Sequence, residues 1–113
     1  MLPVASRLQR RPDFQRAVRT GRRVTSSTVV AHRLVDPVAA RCQVGFVVSR
    51  SVGSAVVRNT VKRRLRALMR DRLTELTPGL LVLRATPRAG QASFATLGDD
   101  VDNCLRALER RTR

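Results

Sequence analysis

Hydrophobic positions along the chain change period several times, and each change marks an element. Phe14, Ala17 and Val18 fall at i, i+3 and i+4, the spacing of one helix face. Pro12-Asp13 supplies a start, with the acid suited to the positive end of a helix, and Gly21 supplies a stop. A helix is therefore predicted to about Thr20. From Val24 to Val35 the chain is rich in Val, Thr and Ser, and Val29–Val35 is its most strand-like part. Asp36-Pro37 breaks it. Residues 42–49 form a second β-branched strand, predicted to pair with the first as a hairpin across a five- or six-residue connection. An extra short strand fits within 22–35.

Gly53-Ser54 opens the longest helical pattern, from about Ser54 to Leu76, ended by Thr77-Pro78-Gly79. Leu80–Ala85 reads as a buried strand, Pro87 and Gly90 mark a loop, and a last helix covers about 92–110. In that helix Phe94, Leu97, Val101, Leu105 and Leu108 are spaced to face the core. Phe46 is also assigned to the core. The expected architecture is one α+β domain over residues 1–113, a sandwich with helices covering one side of a small sheet. Residues 1–10 read as a flexible basic tail.

Charge changes this picture more than composition does. Lys and Arg number 23 against 8 acids, a net charge of +15, and Lys62 is the only lysine. Such a field favours a polyanion, and arginine forks suit phosphate oxygens. An anionic membrane surface or an acidic protein would also fit the charge alone. No apolar run approaches the ~18 residues that span a bilayer, and Arg7 interrupts the N-terminus before a signal-peptide centre could form. A soluble, cytoplasmic protein is expected, with no membrane partner. The single histidine, His32, rules out a His-based metal site or triad by count. Two distant cysteines, Cys42 and Cys104, make neither a zinc site nor a disulfide framework and read as reduced, mostly buried thiols. Asp99, Asp100 and Asp102 could suggest a metal but more simply favour the start of the last helix.

The charge is concentrated on one helix face. Val57, Val61, Leu65, Leu68, Met69 and Leu76 make the core side of the long helix. Arg58, Lys62, Arg66 and Arg70 follow at every fourth position, with Asn59 and Arg63 beside them and Arg64 and Arg72 at the other edge. Positions 58–70 contain no acid, whereas an ordinary solvated face intersperses acids to gain ion pairs. A phosphate backbone would neutralise the stripe and release counterions. Nothing resembling a helix-turn-helix or a heptad zipper accompanies it, so DNA is not expected. Stacking aromatics of an RRM-type sheet are missing as well. The residues alone reach as far as structured nucleic acid held through its backbone.

The segment from Val44 to Arg66, which reads VGFVVSRSVGSAVVRNTVKRRLR, closely resembles the hallmark stretch of the bacterial ribonuclease P protein family. Asp13–Val18 followed by Gly21 resembles that family's first helix, and Leu81–Ala85 its last strand. The resemblance implies an α-β-β-β-α-β-α fold with a left-handed βαβ crossover, although right-handed crossovers dominate in general. It also implies the protein subunit of an endoribonuclease, in a 1:1 ribonucleoprotein with ribonuclease P RNA. There the RNA, with Mg2+, removes the 5′ leader of precursor tRNA, and no catalytic residue or cofactor belongs to the protein.

By position, the resemblance assigns Arg58, Asn59, Lys62, Arg63 and Arg66 to the catalytic RNA, and the stripe adds Arg70. Phe14, Arg16, Val18, His32, Ser49 and Arg50 would line a cleft for the single-stranded leader. Thr60 stands where the family usually has Arg, and whether Arg64 compensates is open. Val18 stands where many relatives have an aromatic, which implies weaker base stacking. Phe14 as a plain core anchor, and His32 as an ordinary sheet residue, remain alternatives. A structural RNA-binding protein, and a protein nuclease acting alone, are the competing functions. The second lacks a convincing general base or two-metal site.

Overall fold

A computed structural model describes residues 4–112. Its elements are α1 (Arg11–Thr20), β1 (Arg22–Thr25), β2 (Val29–Val35), β3 (Cys42–Val47), α2 (Ala55–Arg70), β4 (Gly79–Ala85) and α3 (Phe94–Thr112). This is the α-β-β-β-α-β-α order. Among the described residues, no helix is long and apolar enough to cross a membrane.

The strands form one four-stranded sheet in the order β1-β2-β4-β3. The expected hairpin between Val29–Val35 and the strand that follows does not form. β2 pairs antiparallel with β1 and along its whole length with β4, from Val29 opposite Ala85 to Val35 opposite Gly79. β3 pairs only with β4, in parallel. Burial explains the order: β2 and β4 each bury five residues in a row, which suits central positions covered on both faces. The connection after β2 passes across the start of β4, where Asp36 N–H donates to Pro78 O and Gly79 N–H donates to Arg41 O.

Helices cover both faces of the sheet, not one. Val29, Ala31, Val44, Leu81 and Leu83 face α2 and α3, packing against Val61, Leu65, Met69, Leu97 and Val101. Leu80 and Val82 face the other way, against Ala17 of α1 and Leu8. The basic tail expected over residues 1–10 is docked where it is described. Arg7 bridges to Val44, Leu8 N–H donates to Val44 O at 2.9 Å, and Leu8 is buried. Residues 1–3 lie outside the described residues.

Helix ends differ from the sequence expectation for identifiable reasons. Ser54 caps α2, its hydroxyl accepting from Val57 N–H at 3.3 Å. Gly53 before it has φ +153°, and a Cβ there would meet Val57. α2 stops at Arg70 instead of continuing to Leu76. Arg72 donates to Leu68 O at 2.7 Å and to both carboxylate oxygens of Asp102 at 2.5 and 3.1 Å. The chain then turns through a 3-10 segment, Leu73–Glu75, which lets Leu73 and Leu76 pack on the core.

Ser93 accepts from Thr96 N–H at 3.0 Å at the start of α3. Phe94, expected in the core, is 47% exposed, whereas Leu97, Val101 and Leu108 are buried. Asp99, Asp100 and Asp102 lie beyond the first turn of α3, so the helix dipole does not account for them. Asp100 instead accepts from Thr28 N–H and Oγ1, and Asp102 binds Arg72. Cys42 and Cys104 are buried and free, and burial pushes both thiols up from their ordinary pKa.

Candidate nucleic-acid interface

α2 is divided lengthwise. Val61, Leu65, Leu68 and Met69 are buried, and Asn59, Lys62, Arg63, Arg66 and Arg70 line one shallow depression on the outer side. Among the described residues only Arg70 of the stripe has an acidic neighbour, Asp71 at 3.9 Å. Arg58 differs from the rest. It is half-buried, and its Nε is enclosed without a hydrogen-bond partner. Thr60 spends its hydroxyl on Val56 O at 3.1 Å, and Arg64 turns toward α3, donating to Ala92 O at 3.1 Å.

Phe14, Arg16 and Val18 lie on α1 and His32 on the sheet face beneath it, whereas Ser49 and Arg50 lie beyond the end of β3. Strand alternation puts Gly45 and Val47 of β3, Val82 and Arg84 of β4, and Val30 and His32 of β2 on that face. Phe14 packs against β3, so close that a Cβ on Gly45 would stand 2.4 Å from its ring. Glycine is what allows this approach. Val18 is 44% exposed on the same helix, and Arg16 pairs with Asp13 at 3.5 Å. Ser49 and Arg50 follow the end of β3 and are exposed; the Ser49 and Ser51 hydroxyls are 2.7 Å apart.

Arg23 and Arg84 were not among the residues singled out from the sequence, yet both belong to this face. Arg23 is directly opposite His32, and Arg84 is opposite Val30. Both side chains are exposed. An arginine within a strand pattern is visible in sequence, but its face is fixed only by register. His32 itself is 3% exposed and so is not an open stacking platform. Its pKa lies below the ordinary value because of burial first, then the charges of Arg84 and Arg23.

The two cationic surfaces meet at the outer edge of β3. A groove there is lined by Arg7, Phe14, Gly45 and Phe46 together with Lys62 and Arg66 of α2. The sequence profile of the family described as Ribonuclease P matches residues 2–109. The chain belongs to the ribonuclease P protein family. Relatives named ribonuclease P protein component include that of Streptomyces avermitilis, 51% identical, with 96% of this chain and 95% of the relative covered. That of Nocardioides sp. is also 51% identical, covering 93% and 92%.

Solved structures of ribonuclease P proteins share the fold. That from Staphylococcus aureus superposes with a TM-score of 0.84 at 22% identity, covering 90% of this chain and 94% of the other. That from Thermotoga maritima gives 0.75 at 24%, covering 92% and 96%. β3 thus carries Phe14 on one side and borders the basic helix on the other.

Proposed function

We propose that this chain is the protein subunit of ribonuclease P, assisting removal of the 5′ leader from precursor tRNA. The observation that carries the reading is the outer face of α2, where Asn59, Lys62, Arg63 and Arg66 line one depression without an acidic partner among the described residues. That face, with Arg58 and Arg70, binds the catalytic RNA as one protein per RNA. Phe14, Arg16, Val18, His32, Ser49 and Arg50 receive the leader. The RNA, with Mg2+, performs the hydrolysis, and the protein works in the cytoplasm. Both surfaces act through phosphate attraction, so their affinity falls as salt rises.

The test is reconstitution with the cognate RNA and precursor tRNA at low magnesium. Added protein is expected to accelerate leader removal. No acceleration overturns the reading, and cleavage by the protein without RNA would indicate a protein nuclease instead.

A further inference from the structure

His32 is 3% exposed, and neither ring nitrogen has a hydrogen-bond partner. Buried polar atoms are nearly always paired, and an unpaired one is destabilising. A carbon ring of the same shape would serve packing better, so the two nitrogens suit a group that arrives later. The surroundings specify its charge. Arg23 stands directly across the strand pair from His32, and Arg84 is diagonal to it, two positions along β4 from its partner Val82. Such neighbours have Cβ atoms roughly 5 and 7 Å away.

The other charged groups nearby leave this trio distinct. Arg33 alternates to the opposite face of β2, where it donates to Leu80 O and to Thr77. α1, packed over this face through Ala17, carries Arg11, Asp13, Arg16 and Arg19, with Asp13 paired to Arg16. Arg84 and Arg23 are the charges that act on the ring.

We propose that His32, Arg23 and Arg84 form a proton-linked binding site for one phosphodiester of single-stranded RNA. This rests on the reading of the α1 face as the leader cleft. The two exposed arginines engage the phosphate oxygens and swing aside from the ring edge. The imidazole takes a proton from solvent and presents two N–H donors, which a neutral ring beside two guanidiniums cannot offer. The phosphate supplies the negative charge that makes a third cation tolerable. Affinity therefore rises as pH falls, between the imidazole midpoint of the complex and that of the free protein.

Because His32 is the only histidine, NMR of the full-length protein reports its titration without ambiguity. A short unstructured oligoribonucleotide is the probe. In its presence the midpoint is expected to rise by about one unit or more, and affinity to gain as much as about tenfold per pH unit of acidification. His32→Phe should lose that gain, so that its affinity no longer climbs as pH falls. An uncharged methylphosphonate oligonucleotide should leave the midpoint where it was.

An unmoved midpoint with the oligoribonucleotide overturns the proposal, as does an equal rise with the uncharged probe. So does a His32→Phe protein that melts higher and keeps the wild-type pH profile. Phe14→Ala separates the two layers. If it weakens oligonucleotide binding while the wild-type midpoint stays fixed at saturating oligonucleotide, the cleft stands and the proton linkage fails. If neither Phe14→Ala nor His32→Phe alters binding at any pH, the leader-cleft reading fails and takes the proposal with it.

Discussion

The outer face of α2 and the cleft beside α1 are both cationic, but they are assembled in opposite ways. The α2 surface comes from one stretch of chain: residues four apart share a face, so Lys62, Arg66 and Arg70 align wherever the helix is placed. The cleft draws on α1, β1, β2, β4 and the end of β3, and only the sheet register brings Arg23, His32 and Arg84 together. The first surface is repetitive and suited to a regular phosphate backbone. The second mixes an aromatic ring, a buried imidazole and separate arginines, each held by a different element. Their common border is the edge of β3, where Phe14 and Lys62 line one groove.

Removing charge from α2 should break the comparison most severely. At about 1.5–3 kcal/mol for each charged hydrogen bond, replacing Lys62, Arg63 and Arg66 together by Ala should weaken binding to the catalytic RNA by at least roughly a thousandfold. The slope of log affinity against log salt should fall by about three. Filter binding across a salt series reads both quantities, and an unchanged slope would move the RNA contact off α2. Melting should not suffer, because these side chains do not fill the core.

Gly45→Ala probes the border itself. The added methyl would stand 2.4 Å from the Phe14 ring, so the ring must leave its seat on β3. A loss of about 2 kcal/mol in chemical denaturation is expected from overpacking, together with weaker use of the leader. Unchanged stability would mean that the ring moves freely and does not tie α1 to the sheet.

Phe14→Ala sharpens the same point at a smaller scale. It should raise KM for leader-bearing substrate by roughly fivefold to tenfold, about 1 kcal/mol of lost stacking, with affinity for the catalytic RNA nearly intact. Equal losses in both would reduce Phe14 to a core anchor.

The smallest effects are pH-dependent, and they separate the α1 face of the sheet from the opposite face. The folded state holds His32 neutral below its ordinary value of 6.5. The unfolded chain therefore binds the extra proton first, and stability declines as pH falls below about 6.5 until the folded value is passed. His32→Phe should flatten that limb in thermal melts. Asp102 is held below its ordinary 3.8 chiefly by the hydrogen bond from Arg72. Its contribution is present above 3.8 and is lost as pH falls through the lowered folded value. The carboxylate side chain is 39% exposed, so the pair should contribute under about 1 kcal/mol. Asp102→Asn should leave RNA binding unaltered while removing the acid limb below pH 4.

Most elements were legible because their signals are local. The Pro12-Asp13 start and Gly21 stop bound α1, the Ser54 cap opens α2, and the unbroken apolar run of Leu80–Leu83 marks β4. Where the reading failed, the deciding interaction spanned many residues. Just past the end of α2, Arg72 meets Asp102 thirty residues away, and the pairing of β2 depends on burial shared with β4. Phe94 fits the core spacing of α3, yet half of it is in solvent, because periodicity gives the direction of a face and not its coverage.

The sequence by itself determined the basic helix: its length of charge, its missing acids and its apolar underside are all functions of spacing on one element. It also carried the family, through a motif that is contiguous. The tertiary structure alone decided that β4 separates β2 from β3, that Leu8 and Arg7 dock on the β3 edge, and that Arg23 and Arg84 flank a buried His32. Side chains in a sheet acquire neighbours through register, and register is set by the competition of all strands for burial. No stretch of chain read alone contains that competition.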